Sequence, residues 1–264
     1  MTAGPAPLLA APVPAARPTF AASFAAIFTG QLARAKIAAI PIFLAATLQS
    51  VGLVVLLKGL IDSGSSVTQQ SVVAGSSVTV VSFVALNLLA QRFGALKASG
   101  ALDYFGALPV QPAAVVTATA AAWASFTVPG SVLVAVGGAA YYRLPLSHVW
   151  VIAPVVVAAG VSLAGLGALL GLAAPRPEIA TVAGQLGMSL VMFLGLVPAH
   201  RLPGVVQALR ALVPSTYAVD AFAESFKRSP SWTTISADLA ICIAVCALAL
   251  AASTWAFRRA VSSR

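Results

Sequence analysis

Long apolar runs recur along this chain, and they limit its possible folds more than any other feature of the sequence. The hydrocarbon core of a bilayer requires about 20 consecutive apolar residues per helix. Six stretches meet this requirement, and they predict membrane spans at about 38–60, 71–90, 113–140, 149–173, 179–198 and 236–257. We therefore expect an all-α integral membrane protein with six transmembrane helices.

The composition of the chain supports one membrane domain. Of its 264 residues, 60% are hydrophobic and only 8% are charged, whereas soluble domains carry about 25% charged residues because they need a wetted surface. We expect a single transmembrane domain over residues 19–264. Residues 1–18 are rich in Ala and Pro and lack the unbroken apolar stretch of a signal peptide. They are predicted to form a disordered cytoplasmic tail.

A helix is predicted over residues 19–36, immediately before the first span. Basic residues lie at its end, at Arg34 and Lys36, and its large apolar residues fall on one stripe at Phe20, Phe24, Ile27, Phe28 and Leu32. This pattern favours an N-terminal helix that lies in the membrane interface. The alternative is a cytoplasmic extension of the first spanning helix.

Proline and glycine give two of the spans a predicted local feature. Pro129 and Gly130 lie inside the third span and predict a kink, because proline has no backbone N–H and its ring crowds the preceding turn. Gly167 and Gly171, in the fourth span, have the small-xxx-small spacing that lets helices approach closely. We expect these two glycines to serve helix packing.

The 15 basic residues give a formal net charge of +9, and they predict membrane topology rather than nucleic-acid binding. They sit singly between apolar segments, with no basic run interleaved with aromatic residues. Lys and Arg are retained on the cytoplasmic side of membranes. Both termini are therefore predicted to be cytoplasmic, which places on the inner side Arg17, Arg34, Lys36, Arg92, Lys97, Arg176, Arg258, Arg259 and Arg264. The exception is the segment between spans five and six, which would carry on the outer side Arg201, Arg210, Lys227 and Arg228.

Residues 200–232 predict two short helices in that exceptional segment. Pro203 can start a helix at its first turn, Pro214 ends this piece, and a second amphipathic piece runs over 215–228. Neither piece is long enough to span a membrane. We expect a re-entrant extracellular helical hairpin that dips toward the outer leaflet, with its broken backbone buried in protein or facing water.

Two acidic residues lie four positions apart on the second piece, at Asp220 and Glu224. Glu224 can pair with Lys227 or Arg228 one turn later on the helix surface. An exposed, salt-bridged face is favoured over a proton relay.

Motifs for catalysis and metal binding are absent from the sequence. None of the four lysines follows a glycine, which excludes a P-loop, and His148 and His200 are too far apart for the metalloprotease helix pair. Cys242 and Cys246 lie inside an apolar run and are interpreted as buried thiols. Acidic residues are expected only at span ends or in loops, which disfavours a proton-coupled carrier. We expect no catalytic residue and no metal site.

Two segments of the chain resemble the permease subunits of type 2 ABC transporters, particularly the bacterial drug and antibiotic exporters. The first is QRFGALKASGALDYFGALPVQP at residues 91–112, which ends in the turn Leu108-Pro109-Val110. The second is the proline-punctuated segment at residues 196–226. Six helices, an interfacial N-terminal helix and the chain length are similar to the same family.

The resemblance implies a separate ABC ATPase subunit that binds ATP and Mg²⁺, so that this chain is not an enzyme and binds no cofactor itself. It also implies which residues of the first segment couple to that ATPase, namely Arg92, Phe93, Lys97, Leu102, Asp103, Tyr104, Phe105, Leu108 and Pro109. Family members often carry an acidic residue early in this loop, whereas the stretch before Asp103 is basic here. The other implied partners are a second permease copy or a paralogue, and membrane lipid.

A substrate path and an outer gate are implied as well. Spans two and five of both copies would line the path, with candidate contacts at Phe83, Asn87, Met188, Met192 and Phe193. The gate would be formed by Pro203, Leu209, Pro214 and Tyr217. Because Met and Phe suit varied apolar ligands, the resemblance implies export of a hydrophobic or amphipathic compound across a bacterial plasma membrane.

Three other functions stay open from the sequence. Permeases of the same fold export lipid-linked glycans or lipids, although the small apolar outer loops and the lack of an aromatic belt favour a drug-like compound. A membrane enzyme acting on lipids would need clustered acids or histidines at one membrane face, which the sequence does not supply. A non-transporting assembly factor would differ from a permease in having no ATPase partner.

Overall fold

A computed structural model describes residues 18–61, 66–197 and 203–262, so the predicted tail lies outside the described residues except for its last position. The described parts are helices joined by short turns. A π-helical segment, Ser82–Leu88, connects α2 to α3, and a 3₁₀ turn, Val149–Val151, precedes α7. The α-helices are α1 (Phe20–Ile61), α2 (Ser66–Val81), α3 (Leu89–Ala98), α4 (Ala101–Ala107), α5 (Pro112–Ser125), α6 (Thr127–Tyr142), α7 (Ile152–Ala173), α8 (Pro177–Leu196), α9 (Gly204–Leu212), α10 (Pro214–Ser225) and α11 (Trp232–Ser262).

Six helical stretches within the described chain are long and apolar enough to cross a membrane, which confirms the predicted fold class. They are Ala39–Gly59, Val67–Ala98, Pro112–Tyr142, Val149–Ala173, Pro177–Leu196 and Trp232–Val261. The second stretch is longer than the predicted 71–90, because α2, the π-helical segment and α3 form one helical run. The ends of this run are polar, so the hydropathy pattern does not include them. The other five begin or end within a few residues of their predicted limits.

Two acidic residues lie inside the spans rather than strictly outside them. Glu178 is in the first turn of α8, and Asp238 is in the second turn of α11. A prediction from apolar runs places the start of a helix too late when the first turn of that helix is polar. Acidic side chains are favourable near a helix N-terminus because of the helix dipole. Both residues remain close to a span end.

The first helix is continuous over 42 residues, from Phe20 to Ile61, with Pro41 inside it. It joins the predicted helix at 19–36 and the first span without a break. Phe24 stacks on Phe20 and Phe28, with ring centroids 6.2 and 5.8 Å apart, which forms the predicted apolar stripe. The position of this part of the helix in the membrane interface stays a prediction.

The third span is interrupted as its proline predicts. α5 ends at Ser125 and α6 begins at Thr127, so Pro129 lies in the first turn of α6. Proline has no N–H to donate to the carbonyl four residues earlier, which is that of Ser125. The helix therefore breaks about one turn before the proline.

The core of the bundle runs along α2, the π-helical segment and α3, which pack against α1, α6, α7, α8 and α10. Close contact with α7 depends on its glycines. A Cβ atom at Gly167 would lie 2.6 Å from the carbonyl oxygen of Leu86, and one at Gly171 would lie 2.4 Å from that of Ala90. Neither position has room for a side chain, and the predicted packing role of both glycines is confirmed.

Serine hydroxyls add hydrogen bonds between the spans. Ser131 donates to the carbonyl oxygen of Ser77 at 2.9 Å, which joins α6 to α2, and Ser253 donates to that of Gly165 at 2.7 Å, which joins α11 to α7. Such bonds hold apolar helices in register where burial of apolar surface gives no driving force.

Candidate functional site

The segment at residues 91–112 folds as the end of α3, the short helix α4 and an extended turn into α5. Gly100, between α3 and α4, has a φ of 73°, in the left-handed region that glycine adopts without a Cβ clash. Leu108 is extended at the end of α4, and Pro112 is the first residue of α5, where its missing N–H costs nothing. The predicted coupling residues are thus spread over three different local structures.

Four of these predicted coupling residues face the bundle. Phe93 and Leu102 are buried, and Phe105 and Leu108 are half-buried against the core. They fix α4 to the ends of the spans. The buried side chains of Phe93 and Leu102 are not available to a partner in this arrangement.

The two basic coupling residues are engaged within the permease itself. Arg92 donates to the Oε1 atom of Gln31 on α1 at 3.4 Å and lies 5.6 Å from the ring centre of Trp123 on α5. The ammonium of Lys97 donates to the carbonyl oxygens of Leu172 and Ala174, at 2.8 and 2.9 Å. Lys97 therefore caps the C-terminal end of α7, whose last carbonyls have no partner in the helix.

Three coupling residues project outward and form what we call the α4 surface: Asp103, Tyr104 and Pro109. Tyr104 is the aromatic residue of the three, with 65% of the residue accessible. Its ring contacts Phe105 edge to face, with 5.9 Å between centroids, so it is held against the short helix. This surface can contact another protein without any rearrangement of α4.

Two of the predicted path residues, Asn87 and Met188, are buried between the second and fifth spans. Asn87 lies in the π-helical segment, and its Oδ1 atom accepts a hydrogen bond from the Nε2 atom of Gln91 at 2.9 Å. It also contacts α8, because a Cβ at Gly184 would lie 3.1 Å from the Asn87 Oδ1 atom. π-helical segments are rare and occur often at functional sites.

The other path residues lie nearer the surface. Phe83 and Met192 are half-buried, and Phe193 is 64% exposed. Phe193 belongs to an exposed apolar stripe along α8 that sequence reasoning missed, together with Ile179, Val182, Leu186 and Leu190. Their spacing of three or four residues is a detectable signal, but a span with apolar residues on every side does not reveal which of its apolar stripes faces outward.

The two short helices predicted between spans five and six are confirmed as α9 and α10. Pro203 precedes α9 and is exposed, whereas Pro214 is the first residue of α10 and is buried. Tyr217 is half-buried on α10, and Leu209 lies on α9 with its side chain outside the described part. α10 packs against α2, α7, α8 and α11. The predicted gate residues are thus divided between an exposed and a buried helix, and the re-entrant position stays a prediction.

Two ion pairs join described residues of this hairpin, and one of them was predicted. Glu224 pairs with Lys227 at 2.5 Å, as expected, and also accepts a hydrogen bond from the backbone N–H of Ser231 at 2.9 Å. The other pair joins Asp220 to Arg210, at 2.5 Å across the turn between the helices. These partners are ten positions apart with Pro214 between them, so no helical spacing in the sequence indicates the contact.

Burial raises the pKa of the Asp220 carboxyl above its ordinary value of 3.8, while the charge and hydrogen bond of Arg210 act to lower it. Arg210 is buried, and Asp220 keeps about half of its side chain exposed, with 47% accessible. A buried cation and a partly exposed anion therefore meet at the turn of the hairpin.

The cysteines show no sign of a redox or metal role. Cys242 is buried and Cys246 is half-buried, and both are free thiols. Within residues 18–61, 66–197 and 203–262, no group of three or more His, Cys, Asp or Glu side chains is arranged to hold a metal ion.

A comparison with known proteins adds to this geometry. A family model described as ABC-2 type transporter matches residues 22–226. The matched range begins in α1, includes the coupling segment and ends immediately after α10. No curated protein matches the chain.

Proposed function

The chain belongs to the ABC-2 type transporter family, and we propose that it is the permease of an ATP-driven exporter for a hydrophobic or amphipathic compound. Permeases of this family work with ABC ATPase partners, which are separate from the membrane component. In this proposal the ATPase subunit binds ATP and Mg²⁺ and hydrolyses ATP, and the present chain has no catalytic role. The observation that carries it is the family match over five complete spans and the hairpin.

The α4 surface is the proposed ATPase contact. Asp103, Tyr104 and Pro109 are exposed at the ends of the second and third spans, on a short helix whose other side is fixed by the buried Leu102. α4 also contacts α11, so a push on it reaches the sixth span as well as α3 and α5. A rigid short helix with an exposed aromatic residue suits a contact that transmits force.

The outward stripe of α8 is the proposed wall of the substrate path. Its five side chains are apolar and exposed in a single copy, and a second permease copy or a paralogue facing it would enclose an apolar route. Exposed Phe193 and half-buried Met192 would contact the compound directly, since their surfaces are flat or flexible. Buried Asn87 and Met188 would reach the path only if the π-helical segment and α8 move apart.

We place the permease in a bacterial plasma membrane with both termini cytoplasmic. Six spans bring the start of the first and the end of the last to the same face. That face carries Arg34, Arg92, Lys97, Arg176, Arg258 and Arg259 among the described residues, and a cytoplasmic position follows from the usual retention of Lys and Arg. The α4 surface then faces the cytoplasm, where an ATPase would be.

The proposal is tested by identifying what the permease binds in its own host. The tagged chain is expressed there, extracted in a mild detergent and analysed by mass spectrometry for a stoichiometric P-loop ATPase. We expect that subunit with the native chain. Its absence under several gentle conditions would contradict the proposal and favour the assembly factor or the lipid enzyme. Reconstituted vesicles containing both subunits would then be assayed for ATP-dependent movement of apolar dyes, lipids and lipid-linked glycans.

A further inference from the structure

A groove of about 370 Å³ lies at one end of the bundle, between the ends of α3, α7 and α11. The second, fourth and sixth spans run in the same direction, so all three helices end at the same membrane boundary. The lining side chains include Lys97, Leu169, Leu172, Trp255, Ala256 and Arg259. None of the residues that line the groove is acidic.

Two cations lie at the boundary end of this groove, and both are held in place. The Lys97 ammonium is fixed by the carbonyl oxygens of Leu172 and Ala174 at 2.8 and 2.9 Å. The Arg259 guanidinium lies 5.4 Å from the ring centre of Trp255, one turn earlier on α11. Two positive charges in a groove without a lining carboxylate favour an anionic ligand.

The apolar part of the groove lies one turn deeper in the membrane. Leu169 precedes the end of α7 by about one turn, and Trp255 precedes Arg259 by one turn, which is about 5.4 Å along a helix. Trp255 is 61% exposed, a position typical of tryptophan at the bilayer interface. A ligand that fills the groove therefore needs a charged end at the boundary and an apolar part directed toward the bilayer centre.

We infer that this groove binds an anionic phospholipid, with its headgroup phosphate between Lys97 and Arg259 and an acyl chain along Leu169, Leu172 and Ala256. Basic pockets between spanning helices recognise anionic headgroups in this way. Inorganic phosphate would satisfy the two cations but would leave the apolar surface uncovered. A zwitterionic lipid would cover that surface but would bring a second cation next to Arg259. The site lies on α3, α7 and α11, away from the exposed stripe of α8, and it does not depend on the transport proposal.

Native mass spectrometry of the full chain in detergent tests the inference, with dioleoylphosphatidylglycerol or dioleoylphosphatidylcholine titrated into the delipidated protein. We expect one phosphatidylglycerol to bind more tightly than any further copy and more tightly than phosphatidylcholine. Arg259→Gln should weaken that first binding step about fivefold, the effect of one basic residue near an anionic lipid surface. Arg259→Lys should retain most of the affinity. Millimolar inorganic phosphate should not displace the bound lipid.

Arg258→Gln is the matched control, because Arg258 is the adjacent exposed cation and lines a different groove, next to Phe20 and Thr117. It should leave the first phosphatidylglycerol step unchanged. An equal loss of affinity in Arg258→Gln and Arg259→Gln would overturn the inference in favour of diffuse charge attraction. Equal binding of the two lipids to the native chain, or displacement of the lipid by phosphate, would also overturn it. Apparent melting temperatures verify that each variant is folded, and an exposed position makes misfolding of Arg259→Gln unexpected.

Discussion

Arg210 pairs with Asp220 across the turn that joins α9 to α10, with its Nη2 atom 2.5 Å from the Asp220 Oδ1 atom. The main chain reinforces the same turn, because the Thr216 hydroxyl donates to the carbonyl oxygen of Arg210 at 2.7 Å. Arg210 is buried although it lies in a helix with exposed residues on its other side. The fold of the hairpin therefore includes a largely desolvated cation that is paired with the carboxylate of Asp220.

Loss of that carboxylate should destabilise the protein more than loss of an exposed charge. Asp220→Ala leaves the buried guanidinium without its hydrogen-bond acceptor, which we expect to cost about 1–3 kcal/mol. The double variant Arg210→Met with Asp220→Ala should recover most of the loss, since no buried charge remains. Thermal unfolding in detergent measures the effect. The control is Arg228→Ala, which removes an exposed charge that follows the same helix; an equally large shift in that variant would contradict the prediction.

The raised pKa of Asp220 gives stability a pH dependence of defined sign. Because burial raises the pKa in the folded state above its ordinary value, the folded protein binds this proton more tightly than the unfolded chain does. The contribution of the group is then fully present below the ordinary pKa and is lost as the pH rises through the folded one. The native chain should gain apparent melting temperature relative to Asp220→Asn as the pH falls from neutral toward acid. A difference that moves in the opposite direction would refute this assignment.

Features that depend on neighbouring residues in the chain were predicted from sequence. The six spans follow from hydropathy, the break before Pro129 from a missing N–H, and the two short helices from Pro203 and Pro214. Gly167 and Gly171 were predicted correctly because a small-residue spacing acts within one helix. Glu224 and Lys227 pair because they are one turn apart.

Contacts between distant segments were not predictable in this way. Lys97 caps α7 through carbonyls 75 and 77 residues away, and nothing near Lys97 in the sequence indicates that helix end. The coupling segment illustrates the consequence: one stretch of sequence contains a cap, two buried anchors and an exposed surface. Similarly, a predominantly apolar span such as α8 does not indicate that Met188 faces inward and Phe193 outward.

The capping role of Lys97 predicts a loss of stability when its charge is removed. Lys97→Met leaves the carbonyl oxygens of Leu172 and Ala174 without this donor. Because a hydrogen bond to a charged group contributes about 1.5–3 kcal/mol, we expect a loss of stability in that range. Lys97→Arg should retain part of it. The apparent melting temperature in detergent measures the change, with Arg176→Met as the control because Arg176 is exposed at the same end of the bundle. A melting temperature that stays at the native value in Lys97→Met would show that the cap is not needed.

The close approach of α7 to the second span predicts that adding a methyl group at Gly167 lowers the stability of the protein. A Cβ there would lie 2.6 and 2.7 Å from the carbonyl oxygens of Leu86 and Ala85, and main-chain atoms cannot move aside as a flexible side chain can. Gly167→Ala should therefore cost about 1–3 kcal/mol through overpacking. The matched control is Gly137→Ala in α6, where nothing lies within 4 Å of the new Cβ and alanine is the better helix former. Melting curves in which both variants behave alike would exclude the packing role.

Coupling to an ATPase is best tested at Tyr104, because most of the other candidates have a structural role. Changes at buried Leu102 or at Arg92, which contacts α1, would lower stability and activity together. Tyr104 is 65% exposed, so Tyr104→Ala should leave the melting temperature unchanged. With the ATPase partner present, we expect about a tenfold loss of substrate-stimulated ATP hydrolysis, the usual effect of removing one aromatic anchor from an interface.

Tyr141→Ala is the control, since Tyr141 is also exposed but lies at the opposite end of the bundle. If Tyr104→Ala keeps native stimulated turnover, or if both tyrosine variants lose it equally, the α4 surface does not transmit the force of ATP hydrolysis to the spans.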